Sequence, residues 1–301
     1  MDFESIYKNK DIGEVLFDQS LRDYTTFGIG GKADVMIKPK TENQLQNILK
    51  INHRENIKTT VIGRGSNLLI SDKGIRGCVI VLADNFDKIE RDGDILTALA
   101  GTSLNELALF AIERGLAGME EISGIPGSVG GAVAMNAGAY GGEIKDICVN
   151  VKAFDFAGKE YNFTNSQMNF SYRHSKIFED DLIVSSASLK LEAGNKEEIE
   201  ARYQDFTNRR TTKQPLDRKS AGSTFKRPTG SYASKLIDEC GLRGYRRGEC
   251  QVSEKHCGFI INVDHATCED MLSFIEEVSK IVNKKTGFVL EREVKLIGDF
   301  E

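Results

Sequence analysis

The chain has 301 residues, 40% hydrophobic and 28% charged, with 45 acidic against 40 basic side chains for a net charge of −5. This length suffices for two domains with cores of their own and the composition is that of a globular protein, while the acidic balance argues against a sequence-independent nucleic-acid binder. No basic segment followed by an apolar run opens the chain and no run of about 18 apolar residues occurs, so neither secretion nor a membrane span is expected and the cytoplasm is the expected location.

Residues 23–39 (DYTTFGIGGKADVMIKP) read as a glycine turn followed by a short strand over 33–37, which Pro39 ends. Thr41 and Gln44 have capping-box spacing ahead of Leu45, Ile48 and Leu49 at helical intervals. A strand over 60–62 feeds residues 63–70 (GRGSNLLI), and another strand covers 78–82. In Gly63, Arg64, Gly65, Ser66 and Asn67 the glycines let main-chain N–H groups converge while Ser66 and Asn67 add side-chain donors, which suits either a phosphate loop or a plain β-turn. The spacing is not G-x-G-x-x-G and no helix is expected to follow, which excludes a dinucleotide-binding Rossmann turn.

Ser103 and Glu106 repeat the capping-box pattern at the start of a helix through Leu104, Leu107 and Ala111 that Gly115 closes. Residues 123–142 (SGIPGSVGGAVAMNAGAYGG) then place seven glycines in twenty residues, a density that no ordinary helix or strand is expected to tolerate. It implies positive φ or close approach to something flat or anionic, and Ile125, Val129, Val133 and Met135 imply burial. Two readings stay open from these residues: a glycine-rich turn packed between core elements, or a wall whose N–H groups receive phosphates or a ring system. A hairpin turning at Ala157 and Gly158 and a strand over 182–191 complete a mixed α+β portion.

Beyond Gly194 a polar helix from Lys196 to about Arg210 carries Ile199, Tyr203 and Phe206 on one face. Residues 209–247 are basic and turn-rich, with Asp217, Asp238 and Glu239 as their opposing charges, and form either a solvated face or an anion site. The last helix, 267–285, has Met271, Phe274, Ile275, Val278 and Val282 at core spacing and ends at Gly287. A final strand over 288–297 alternates Leu290, Arg292, Val294 and Leu296 with Glu291, Glu293 and Lys295. The six cysteines (Cys78, Cys148, Cys240, Cys250, Cys257, Cys268) include no C-x-x-C pair, and Cys250 and Cys257 beside His256 fit no common zinc set. Reduced, buried thiols and no metal are therefore expected, and His256 and His265 read as structural.

Taken in order, TTFGIGG, GRGSNLLI, SGIPGSVGGAVAMNAGAYGGEI, SYRHS, AGSTFKRP and LEREVKLIG resemble the MurB flavoenzyme family of UDP-N-acetylenolpyruvoylglucosamine reductases over essentially the whole chain. The resemblance implies an α+β architecture: a vanillyl-alcohol-oxidase-type FAD-binding domain over 1–193, built from subdomains of about 1–82 and 83–193, then a substrate-binding domain over 194–301 whose last strand returns to the active site. It implies non-covalent FAD, because the loops hold no His or Cys for attachment. Gly63, Arg64, Gly65, Ser66, Asn67 and Leu68 would wrap the diphosphate. Ser123, Gly124, Pro126, Gly127, Ser128, Gly130, Gly131, Asn136, Gly138 and Ala139 would line the rest of the cofactor.

The implied reaction is reduction of UDP-N-acetylglucosamine enolpyruvate to UDP-N-acetylmuramate with NADPH as hydride donor, a step of peptidoglycan precursor synthesis. In it Arg173 of SYRHS is the catalytic arginine, Ser223 of GSTFKRP the proton donor and Glu293 of LEREVK the catalytic glutamate. The spacing from Arg173 to Ser223 resembles the shorter branch of the family, which lacks an inserted substrate-closing segment. Hydride reaches C3 of the vinyl group and charge spreads from C2 into the carboxylate, where the planar fork of Arg173 can stabilise it. Ser223, held in line, can protonate C2, and Glu293 is expected to be a neutral donor or to orient a neighbour. Tyr172, Lys226, Arg227, Tyr232, Lys235 and Arg243 are candidate substrate contacts, with no nucleic-acid or membrane partner and a monomer as the default. Two rival readings follow: a small-alcohol oxidase on the same scaffold, which would consume oxygen, and a colourless nucleotide-sugar-binding module.

Overall fold

In the computed structural model, which describes residues 1–83 and 85–300, Thr41 opens the helix Glu42–Arg54 by accepting from the Gln44 N–H at 3.2 Å. The expected box is half formed, because Gln44 Oε1 accepts from the Lys40 N–H at 2.8 Å. The Ser103–Glu106 box is complete and opens Leu104–Glu113, with Gly115 in the left-handed region beyond it. Among the described residues no helix is long and apolar enough to cross a membrane.

Two compact units divide the chain. The first comprises Met1–Phe17, Val35–Arg64 and Gly77–Arg209. Its core gathers Leu45, Ile48 and Leu49 of the first long helix with Val35, Ile80, Leu104, Val129 and Val151. An antiparallel sheet in the order Glu160–Thr164, Cys148–Phe154, Ile183–Lys190, Ile95–Leu99, Ile89–Asp92 lies in this unit. The Ala157–Gly158 turn forms as expected: Asp155 Oδ1 accepts from the N–H groups of Ala157 and Lys159, both at 2.9 Å, while Gly158 takes φ +81°. A parallel pair, Thr59–Ile62 with Ile75–Val81, registers Thr59 against Cys78.

The second unit comprises Asp18–Asp34, Gly65–Arg76 and Arg210–Glu301. Its core is built from Met271, Phe274, Ile275, Val278 and Val282 of the helix Cys268–Thr286, packed with Leu236, Ile237, Val252 and Ile260. Thr267 and Asp270 cap that helix reciprocally, and Asp72 accepts from its first N–H groups, Cys268 at 2.9 Å and Glu269 at 3.2 Å. A three-stranded antiparallel sheet runs Arg246–Arg247, Cys250–Val252, Ile260–Asn262. The final strand is shorter than its alternation suggests. Lys295–Ile297 pairs in parallel with Leu68–Ile70, whereas the preceding residues are held by single links to 224–226, including the Phe225–Arg292 bridge.

Candidate active site

In the first unit, residues 123–142 include a helix, Val129–Ala134, which their glycine density was not expected to tolerate. Tertiary packing overrides glycine's low helix propensity here: a Cβ on Gly130 would lie 2.7 Å from that of Ala100, so only the bare backbone fits. Gly138 is likewise required by close approach, 2.7 Å from Glu143 Cγ, while Gly141 uses the left-handed freedom at φ +101°. With Tyr140 at φ +53°, Gly141 makes a two-residue turn between Gly138–Ala139 and Gly142–Glu143, the combination a tight hairpin favours. A Cβ on Gly63 would meet Ser128 Oγ at 2.5 Å. Gly63 thus lies against Ser128, the residue that precedes the 129–134 helix.

Gly131 differs from these glycines. It is exposed, and the nearest atom to a Cβ there is Ser128 Oγ at 3.7 Å. Among the described residues no packing contact demands glycine at a position where it costs about 1 kcal/mol relative to alanine, so the bare backbone leaves room for a flat group lying on the helix. Pro126 is exposed, and Gly124 and Ala139 are half-buried. Gly127 is buried, and its carbonyl accepts from the Leu104 N–H at 3.1 Å. The Ser123 hydroxyl points back to the Glu120 carbonyl at 2.8 Å. Arg64 sits 4.0 Å from Glu106.

Asn136 ends the helix. Its N–H donates to Val133 O and that of Ala137 to Ala132 O, with Asn136 at φ +40°, the geometry of a Schellman cap. Its side chain is fully buried, with Nδ2 donating to Glu143 Oε2 at 3.0 Å and Ser171 O at 3.1 Å and Oδ1 accepting from the Lys145 N–H at 3.0 Å. Ser171 and His174 close a tight turn that holds Arg173 at φ +56°, a conformation sparse for a non-glycine residue and common at functional sites. The Arg173 guanidinium donates to Gly138 O at 3.3 Å and lies 4.9 Å from the Tyr172 ring centre. Lys145, the Asn136 amide and the Arg173 charge hold the Glu143 carboxyl below the usual range against a smaller opposing effect of burial.

In the second unit, Ser223 is exposed and its neighbour Thr224 is fully buried. Thr224 donates from its N–H to Gly258 O at 2.8 Å, accepts at Oγ1 from the Ile260 N–H at 3.1 Å and accepts at its carbonyl from the Glu293 N–H at 2.9 Å. Asn67 Nδ2 donates to the Glu293 carbonyl at 3.3 Å, and Asn67 O accepts from the Lys295 N–H at 2.9 Å. A Cβ on Gly65 would lie 2.0 Å from Tyr24 O. The unit therefore brings Gly65, Ser66, Asn67 and Leu68 together with Ser223 and Glu293.

The candidate substrate contacts sort differently. Arg243 places its fork on Asp238, at 2.9 and 2.6 Å, and donates to Glu254 O at 2.5 Å. Lys226 pairs with Glu291, and Lys235 lies 3.7 Å from Glu239. Arg227 stacks on the exposed Tyr232, 4.1 Å from its ring centre. Much of the basic stretch is thus balanced by carboxylates, some of them distant in sequence. Sequence reasoning missed Thr224 and Glu143; the signal for Thr224 was a second small hydroxyl residue directly beside Ser223 and ahead of the apolar Phe225.

The chain is similar in sequence and fold to known proteins. Residues 33–164 match the FAD binding domain family model and residues 214–297 that of the UDP-N-acetylenolpyruvoylglucosamine reductase C-terminal domain. UDP-N-acetylenolpyruvoylglucosamine reductase of Clostridioides difficile (strain 630) is 48% identical over 95% of this chain and 94% of its own length. That of Caldanaerobacter subterraneus subsp. tengcongensis is 44% identical over 95% of each. The crystal structure of UDP-N-acetylenolpyruvylglucosamine reductase (MurB) from Thermus caldophilus superposes with a TM-score of 0.79 at 36% identity, covering 94% of this chain and 98% of that one. With both family models matched and close relatives aligned nearly end to end, the chain belongs to the UDP-N-acetylenolpyruvoylglucosamine reductase family.

Proposed function

We propose that Arg173, Ser223 and Glu293 carry the chemistry of this family in this chain. As a family member the chain is an FAD-containing oxidoreductase of peptidoglycan precursor synthesis, which reduces UDP-N-acetylglucosamine enolpyruvate to UDP-N-acetylmuramate at the expense of NADPH. The observation that supports the assignment is the link from Glu293 N–H to the carbonyl of Thr224, the residue after Ser223, which ties Glu293 to the neighbour of Ser223.

Gly63, Arg64, Gly65, Ser66, Asn67 and Leu68 would hold the FAD diphosphate through converging main-chain donors, and the bare backbone at Gly131 would accept the cofactor's flat portion. Bound there, FAD would supply the hydride-transfer chemistry, with NADPH as its reductant and C3 of the enolpyruvyl group as the acceptor. Arg173 offers a planar, permanently charged fork to the substrate carboxylate, where negative charge collects as C3 is reduced. Ser223, exposed on a frame fixed by Thr224, gives its proton to C2. Glu293 orients the reacting centre from the same frame. Arg227 with Tyr232 is the arrangement best suited to the nucleotide portion, since Arg243 is committed to Asp238. We take the enzyme to be a cytoplasmic monomer with functional domains over 1–193 and 194–301. One chain carries every motif of the family match.

The test is an anaerobic visible spectrum of the purified protein. A flavin band that bleaches with NADPH and returns only with the enolpyruvyl UDP-sugar supports the reading, and a flavin that ignores the UDP-sugar but reoxidises with oxygen on turnover of a simple alcohol overturns it.

A further inference from the structure

We infer that Asn136, with Glu143, positions Arg173: one buried amide ties the end of the helix Val129–Ala134, the Glu143 carboxylate and the turn that carries Arg173 into a single piece. The inference rests on the proposed role of Arg173. An asparagine amide has two N–H donors, and both are used within the chain, on Glu143 Oε2 and Ser171 O. None is left for a ligand, so Asn136 acts through its neighbours and not as a cofactor contact.

The left-handed cap at this position would be served equally by glycine, so the cap alone does not call for asparagine. What asparagine adds is the amide, and the amide reaches the first residue of the Ser171–His174 turn. Glu143 in turn lies opposite Gly138 in their hairpin, and Gly138 O is the acceptor of the Arg173 guanidinium. Ser175 Oγ completes the arrangement by donating to Ala134 O at 2.8 Å. The strained backbone of Arg173 is thereby over-determined from several sides, the condition under which such conformations persist.

The decisive variant is Asn136→Gly, which keeps the helix cap and removes the amide. Flavin content and reduction by NADPH stay within about twofold of wild type, whereas reoxidation by the enolpyruvyl UDP-sugar slows by about 10- to 100-fold, the scale of a small misplacement of a reacting group. Arg173→Lys is measured alongside, and the double variant is no slower than the slower single one, because both changes disable the same contact. Additive losses, full-speed reoxidation in Asn136→Gly, or purification without flavin each overturn the inference. Should Asn136→Gly fail to fold, Glu143→Gln decides, since that side chain is half-exposed: a several-fold loss confined to reoxidation and sub-additive with Arg173→Lys supports the assignment, and an additive or absent loss refutes it. Full-speed reoxidation in Arg173→Lys removes the role of Arg173 itself, whereas an impaired Arg173→Lys beside an unimpaired Asn136→Gly removes only the positioning role.

Discussion

The Glu293 N–H donates to the Thr224 carbonyl at 2.9 Å, so the residue after Ser223 and the main chain of Glu293 share one hydrogen bond. Thr224 is the fully buried member of that frame, and its hydroxyl is the acceptor of the Ile260 N–H. Replacing it by the nearly isosteric valine leaves a buried N–H without its acceptor, at about 1–3 kcal/mol. Thr224→Val should therefore melt earlier and lose the substrate half-reaction, while Thr224→Ser, which keeps the oxygen, recovers most of both. Calorimetry with stopped-flow absorbance checks this; equal rates in Thr224→Val and wild type would show that Ser223 does not depend on the frame.

All six cysteines are buried and free. Burial pushes the Cys78 and Cys257 thiols up to about 11 and those of Cys148, Cys250 and Cys268 up to about 12. Thiols in that state carry almost no thiolate near neutrality. A thiol-reactive disulfide reagent at pH 8 should label none of them in the native protein and all six after unfolding. A rapidly labelled native thiol would contradict the buried placement.

His256 supplies a pH dependence. Its Nδ1 accepts from the Gly258 N–H at 3.2 Å, and Gly258 O is the acceptor of the Thr224 N–H. Burial, the largest effect, lowers its pKa below the ordinary 6.5. Above about pH 6.5 both folded and unfolded states hold the neutral ring and stability is at its full value. Below that pH the unfolded state takes the proton first, so stability falls until the folded pKa is passed. Denaturant midpoints should drop between pH 7.5 and 5.5 in the wild type and less so in His256→Gln; identical slopes would remove His256 as the cause.

Much of this was legible in the chain itself. The Ser103–Glu106 box, the 268–286 helix and the Asp155–Lys159 turn follow local rules, and the order of the motifs identified the family before any geometry. Residues 123–142 mark where local reading fails. Glycine density there implied positive φ or close approach to something flat or anionic, and Gly130 and Gly138 make their close approach to Ala100 and Glu143 of the chain itself, contacts made only after folding. The charge balance of the basic stretch was hidden for the same reason: Lys226 finds Glu291, far along the chain, and a count of nearby charges cannot register that pairing. The shortened final strand reflects links to 224–226 that replace a regular ladder.

Ser223 as proton donor is the central claim, and single-turnover kinetics of Ser223→Ala tests it most directly. Flavin reduction by NADPH should proceed at close to the wild-type rate, while reoxidation by the enolpyruvyl UDP-sugar falls by about 10² to 10⁴, the range for a lost general acid. Equal slowing of both half-reactions, or unimpaired reoxidation, would contradict the assignment.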